Sequence, residues 1–155
     1  MKQVAQRLRD GAIEVLDVPP PSLTPEGVIV DLRASLLSAG TERSKMEAGR
    51  KSLLGKARAR PDQVRAVVEK ARHDGVKAAA DAVRARLDEP SALGYSAAGV
   101  VTAVGTRVRD LSAGDRVACG GGGYAVHAEL VHVPGNLCVR LPEPVDFAEG
   151  AFTTV

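Results

Sequence analysis

Residues 4–18, VAQRLRDGAIEVLDV, alternate apolar and polar positions on either side of Asp10-Gly11. Both members of that dipeptide tolerate positive φ, so the pattern predicts two short strands joined by a tight hairpin. Pro19 to Gly27, PPPSLTPEG, cannot supply a regular ladder of N–H donors and reads as an extended connector. Alternation returns in VIVDLRASLLS, with Val28, Val30, Leu32, Ala34 and Leu36 on one face and Asp31, Arg33 and Ser35 on the other, which predicts a strand buried on one side. From Ser44 to Glu89 the period lengthens and Ala, Arg, Lys and Glu dominate. Pro61 suits a first helical position, and Val64, Val67, Val68 and Ala71 follow at helical spacing up to Gly75. A second run, Val76, Ala79, Ala80, Val83 and Leu87, is ended by Pro90. The remainder returns to strand patterns in AAGVVTAVG, GDRVACGGGG, AELVHVP and NLCVRLP. In the last of these Leu137, Val139 and Leu141 share one face while Cys138 and Arg140 share the other. Short strands punctuated by Gly and Pro, with one helical pair between them, predict a mainly β domain with an α insertion, an α+β fold. The expected organisation is a single domain over 1–155 with a helical insertion over 44–89.

Composition narrows the picture. A chain of 155 residues with 45% hydrophobic and 26% charged residues can bury one sizeable core. Aromatics are 3% and Trp is absent, so the core is expected to be aliphatic, and a base-stacking surface lacks raw material. Nucleic acid is therefore not an expected partner. The opening MKQVAQRLRDG is charged, and no window approaches about 18 uninterrupted apolar residues, which predicts a cytoplasmic protein with no membrane partner. Cys119 and Cys138 lack the paired spacing of a zinc ribbon or redox motif and read as free thiols. Lys45 to Glu89 holds twelve Lys or Arg against seven Asp or Glu, a local excess of +5 in a chain whose net charge is +2. That charge suits a solvated amphipathic hairpin, or a face that docks an acidic partner.

The short motifs of the second half matter through their order: Gly94-Tyr95-Ser96, Gly99 to Val101, Val104-Gly105, Gly114 to Val117, Ala128 to Leu130 and Leu141 to Glu143. In this order the chain resembles the N-terminal, GroES-like catalytic domain of the medium-chain dehydrogenase/reductase superfamily, which includes the zinc alcohol dehydrogenases and the quinone reductases. In that family a Gly-His-Glu segment leads into a Gly-Val-Val strand, followed by a Val-Gly turn, Gly-Asp-Arg-Val, an Ala-Glu-Tyr-like strand and a Leu-Pro-Glu turn. The resemblance covers residues 1–43 and 90–155. A subgroup, the bi-domain oxidoreductases joined to a sugar or inositol dehydrogenase-like half, is similar through SLLSAGTER, KSLLGKARARPDQV and GYSAAGVV as well. The resemblance implies a partly open GroES-like β-barrel with an inserted helical hairpin. It also implies NAD or NADP as cofactor of the complete enzyme, an alcohol, polyol or sugar-type substrate, and a homo-oligomer as one expected assembly.

The departures from the family pattern carry the chemistry. Zinc-using members hold the metal with a Cys in a Cys-Gly-Thr-Asp-like segment and with the His, sometimes the Glu, of Gly-His-Glu. Here the Cys position falls on Ser38 or on Ala39, depending on the alignment, and the other two fall on Tyr95 and Ser96. Hydroxyls do not replace thiolate and imidazole at such a site, so no zinc is expected. The polar residues left around the implied cleft are Ser38, Thr41, Glu42, Arg43, Tyr95 and Ser96. By resemblance Thr41 starts a proton relay, Glu42 stands for the family's Asp, and Arg43 is the residue expected to meet the cofactor. Tyr95 could donate a proton to a carbonyl oxygen. Thr41 and Glu42 equally suit the cap of a helix beginning near Ser44, and Tyr95 equally suits plain packing. SLLSAGTERSK and LGYSAAGVV would then form two walls of one cleft. His127 and His132 read as surface or packed histidines on strands, and His73 as a residue at a helix end. Gly120 to Gly123 precede a strand-like pattern rather than a helix, and so read as a tight turn and not a phosphate cradle. No Gly-x-Gly-x-x-Gly follows a predicted strand, so binding of NAD(P) is expected to need a nucleotide-binding domain or subunit that these residues do not contain. A rival expectation is a binding or assembly module that keeps the barrel, lacks the chemistry, and docks a partner through the basic hairpin.

Overall fold

The computed structural model describes residues 1–38, 40, 55, 57–58 and 61–154. In chain order the described elements are β1 (Lys2–Arg7), β2 (Ile13–Asp17), β3 (Gly27–Ser35), α1 (Pro61–Asp74), α2 (Val76–Asp88), β4 (Pro90–Ala92), β5 (Ser96–Val104), β6 (Arg116–Gly120), β7 (Leu130–Pro134), β8 (Cys138–Arg140) and α3 (Phe147–Gly150). The strands form two sheets, β2-β1-β4 and β7-β3-β5-β6-β8, and among the described residues neither closes into a barrel. The chain divides into two compact units. The first comprises Met1–Ala5, Val15–Ser38 and Ala92–Val155, and the second Gln6–Glu14 and Ala39–Ser91.

In the first unit β3 lies between β5 and β7 and pairs antiparallel with both. Its first half departs from the one-sided burial its sequence predicts: Ile29 is buried as well as Val28 and Val30, and alternation survives only beyond Asp31. The core is aliphatic as expected, with Val28, Val30, Val101, Val117 and Val133 fully buried. Two of the motif glycines sit where backbone passes close by. A Cβ on Gly99 would run into the carbonyl of Asp31, and one on Gly105 into the carbonyls of Thr24 and Pro25. A side chain at either place would force paired backbone apart.

Gly-Asp-Arg-Val likewise has a physical reading. Gly114 takes φ 94, in the left-handed region that favours glycine, as the chain turns into β6. The Asp115 carboxylate accepts from Ser112 N at 2.7 Å and from Arg140 Nε at 2.8 Å. The Arg116 guanidinium donates to the carbonyls of Glu143 and Val145 and stacks over the Phe147 ring, 4.7 Å from its centroid. Val117 enters the core. The backbone N–H of Ser112, and then Arg140, hold the Asp115 carboxyl below its ordinary value of 3.8. Its contribution to stability is therefore complete above pH 3.8 and is lost as the pH falls through the lower folded value. Asp115→Asn should melt below the wild type near neutral pH, and the gap should shrink on acidification past 3.8, as read from denaturant midpoints across a pH series. Beyond β8, Asp146 opens α3 with a reciprocal capping box to Glu149, at 2.7 Å and 3.0 Å.

Two further local expectations are corrected. The first hairpin has a wider loop than the dipeptide turn its sequence predicts. Arg7 N donates to Ala12 O at 2.9 Å, Gly11 alone takes positive φ, and Asp10 instead accepts from Ala12 N at 3.0 Å. The stretch from Tyr124 to Glu129 is irregular, with one bridge between Gln3 and Ala128, and regular strand begins only at Leu130. In β8 the apolar residue Val139 points to solvent, 53% exposed, while Cys138 packs against the core.

In the second unit Pro61 is the first residue of α1, and Gly75, at φ 90, joins α1 to α2 within a single residue. Both helices match the predicted runs. The hairpin turn and α2 are linked by Arg9 Nε to Asp88 at 2.9 Å. Ala79 is buried, whereas Val64, Val67 and Val68 on α1 remain between 37% and 44% exposed. No helix among the described residues is long and apolar enough to cross a membrane.

Candidate functional site

The pairing of β3 with β5 brings together the ends of the two predicted walls. Ser35 stands opposite Ala97, and Leu36 N donates to Ser96 O at 2.9 Å. Ser38 follows shortly after β3 and is half-buried, and half-buried Tyr95 immediately precedes β5. Thr41, Glu42 and Arg43, together with Ala39, lie outside the described residues. Of the predicted site, therefore, Tyr95 and Ser96 adjoin the end of β3, and Ser38 lies two residues beyond Leu36.

The turn after β6 positions Tyr95. Gly121, at φ 117, donates its N–H to Tyr95 O at 2.8 Å, and Tyr124 N and Ala125 N both donate back to Gly121 O. The glycine run thus forms a reverse turn that braces the site, and no helix opens from it to bind an anion. Gly94 takes φ 102, and a Cβ there would lie 2.8 Å from the backbone N of His127, so only glycine suits this approach. His127 N donates to Leu93 O at 2.8 Å.

This packing brings in His127, which the sequence reads only as a surface or packed histidine. His127 Nδ1 and Ser35 Oγ share a hydrogen bond at 2.9 Å, with the donor set by the imidazole tautomer. The His127 imidazole therefore stands beside the Gly94-Tyr95-Ser96 segment. No local signal in AVHAEL marks it, because its neighbours are supplied by the return of the chain after Gly121. His132 is instead a packed histidine, its Nε2 at 2.9 Å from Thr24 Oγ1 and its ring filling the space over Gly27.

Ser96 is fully buried, and its hydroxyl donates to Ala151 O at 2.6 Å. It ties the start of β5 to the end of α3, and its proton is committed to backbone. The donor set at the described metal-ligand positions is then a half-buried serine, a phenol and a committed hydroxyl, which does not fit a divalent zinc ion. Among the described residues no group of three or more His, Cys, Asp or Glu is gathered closely enough to hold a metal. A separate groove of about 620 Å³, lined by Arg107, Arg109, Asn136, Cys138 and Arg140 among others, shares no residue with this site.

A family model described as the alcohol dehydrogenase GroES-like domain matches residues 62–143, more than half of the chain. The chain belongs to this family. The match begins within α1, so the helical pair lies partly inside it. Among curated relatives, the GroES-like chain is 40% identical over 62 residues to quinone oxidoreductase of Pseudomonas aeruginosa, covering 40% of this chain and 19% of that protein. It is 33% identical over 91 residues to L-idonate 5-dehydrogenase of Vitis vinifera, covering 41% and 25%. Escherichia coli quinone oxidoreductase, solved in complex with NADPH, shares the fold at a TM-score of 0.65 and 16% identity, over 99% of this chain and 37% of that one. The chain thus spans a quarter or less of those two curated relatives and under two fifths of the solved structure.

Proposed function

We propose that this GroES-like domain is the substrate-side part of a zinc-independent oxidoreductase. It would act on an alcohol, polyol or sugar-type substrate with NAD or NADP held by a nucleotide-binding domain or subunit. The observation that carries the reading is the make-up of the segment where relatives place metal ligands. Tyr95 and Ser96 replace His and Glu there, and the Ser96 hydroxyl is bound to Ala151 O. The family match supports dehydrogenase-type chemistry, and relatives named for quinone and L-idonate substrates support a small carbonyl or alcohol compound.

The nicotinamide would exchange hydride with a substrate carbon when bound. This chain's contribution is protonic. In the reducing direction the Tyr95 phenol donates a proton to the substrate oxygen, taking the place of a Lewis-acid metal. The hydrogen-bonded pair of Ser35 and His127 is a second proton carrier beside the same segment. By resemblance Thr41 would start the relay, with Glu42 in the place of the family's Asp, and Arg43 would be the residue toward the cofactor.

The test uses this chain together with its nucleotide-binding half, assayed by nicotinamide absorbance against a panel of polyols, sugars and quinones. The expected result is turnover that a zinc chelator leaves unchanged, with less than stoichiometric zinc by elemental analysis. One tightly bound zinc per chain would overturn the metal-free reading. Absence of turnover across the panel would count against the oxidoreductase itself.

A further inference from the structure

Cys119 and Cys138 are nineteen residues apart in the chain, and strand register brings them face to face as partners across β6 and β8. The type of pairing follows from the ladder. Leu141 N donates to Arg116 O at 2.8 Å, which makes residues 116 and 141 a hydrogen-bonded pair. Antiparallel pairs alternate, so 118 with 139 is again hydrogen-bonded and 119 with 138 is not. In non-hydrogen-bonded pairs the Cα atoms are about 4.5 Å apart and the side chains closest. That separation lies inside the range of about 4.4–6.8 Å that a disulfide spans. The two sulfurs stand at 3.7 Å, in contact and unbonded.

The two thiols differ in access. Cys119 is 1% exposed and belongs to the core, whereas Cys138 is half-buried and lines the groove of about 620 Å³. Arg107, Arg109 and Arg140 line the same groove together with Glu26 and Asp110, and Arg107 pairs with Glu26 and Arg140 with Asp115, so the groove is polar and charged around the more accessible thiol. The inversion of β8, with Val139 outside and Cys138 inside, is what creates this arrangement.

We propose that Cys119 and Cys138 form a reversible dithiol–disulfide site, with Cys138 exchanging with low-molecular-weight disulfides from the groove and Cys119 closing the bond. A hydrogen bond from Cys119 lowers the pKa of Cys138 below the ordinary 9.0, whereas that bond and burial push the Cys119 thiol up. Cys138 is therefore the attacking thiolate and Cys119 the resolving thiol. The Cys138 thiolate attacks one sulfur of a small disulfide, whose S–S bond breaks and releases one thiolate. The Cys119 thiol then attacks the Cys138 sulfur, its proton passing to the second small thiolate as that group leaves. In balance, two protein thiols are oxidised to one disulfide and one small disulfide is reduced to two thiols. The closed bond would join edge strand β8 covalently to β6, and a dithiol reductant would reverse it.

The experiment treats the folded chain with oxidised glutathione under native conditions and follows intact mass and non-reducing peptide maps. The wild type should lose the mass of two hydrogens, retain no glutathione, and yield one linked peptide pair containing residues 119 and 138. Cys119→Ala should instead stop at a stable glutathione adduct on Cys138. Cys138→Ser should remain unmodified while folded and react only in denaturant, which also checks that the variant has folded. Wild type that keeps both thiols free, a lasting glutathione adduct on wild type, or disulfide-linked dimers in place of the internal bond would each overturn the proposal. Reaction of Cys138→Ser in its folded state would overturn the assignment of the entry thiol.

Discussion

Gly99→Ala is expected to lower stability by about 3 kcal/mol, because a Cβ at this position meets the Asp31 carbonyl of a paired strand and no flexible side chain can yield. For a chain of this size that is a fall of roughly 6–12 °C in Tm. The effect should appear in thermal unfolding followed by circular dichroism. Gly122→Ala is the matched control. It lies in the exposed turn after β6 with nothing within 4 Å of a built Cβ, and it should change stability by less than about 0.5 kcal/mol. A Gly99→Ala melting curve that overlays the control would mean β3 and β5 separate at no cost, against the register described. The same reasoning explains the family's Gly-Val-Val strand physically: its glycine is where two strands come too close for a side chain.

Tyr95→Phe should reduce kcat of the complete enzyme by about 100-fold or more with little change in KM, because it removes the proposed proton donor and keeps the ring. Tm should stay within about 1 °C of wild type, since the phenyl group preserves the packing. A variant with wild-type kcat would reduce Tyr95 to a space-filling role in the place of the missing ligand. His127→Gln, which can still hydrogen-bond to Ser35, separates the two proton carriers, because only a catalytic imidazole would leave a change in the pH profile near neutrality.

Much of the architecture is legible because its signals are local. Pro61, Gly75 and Pro90 punctuate the helical runs, and the structure places α1 and α2 between them. Alternation in the second half identifies β5, β7 and β8 closely enough to recover their order. The misreadings share one cause, which is that periodicity reports which residues share a face and not what covers that face. Ile29 is buried on the face opposite Val28 and Val30, and Val139 is exposed while Cys138 on the other face of β8 packs against the core. At the first turn, Asp10 binds backbone with its side chain instead of adopting positive φ, an outcome that competes with the dipeptide signal.

The site divides along the same line. The expectation that Tyr95 and Ser96 fall where zinc-using members of the family hold their metal comes from the order of motifs alone, and needs no geometry. That Ser96 is committed to Ala151, fifty-five residues away, cannot be read so, because a hydroxyl's partner is chosen by packing.

By itself, then, the amino-acid sequence determined most of the elements, the aliphatic core and the family, all properties of residue type, motif order and short-range period. Tertiary structure alone decided that His127 joins Ser35 beside Tyr95, and that two cysteines without any motif spacing meet at 3.7 Å. Both depend on which residues lie opposite one another across strands or loops, and for the cysteines a shift of one place in register would turn a side chain to the other face.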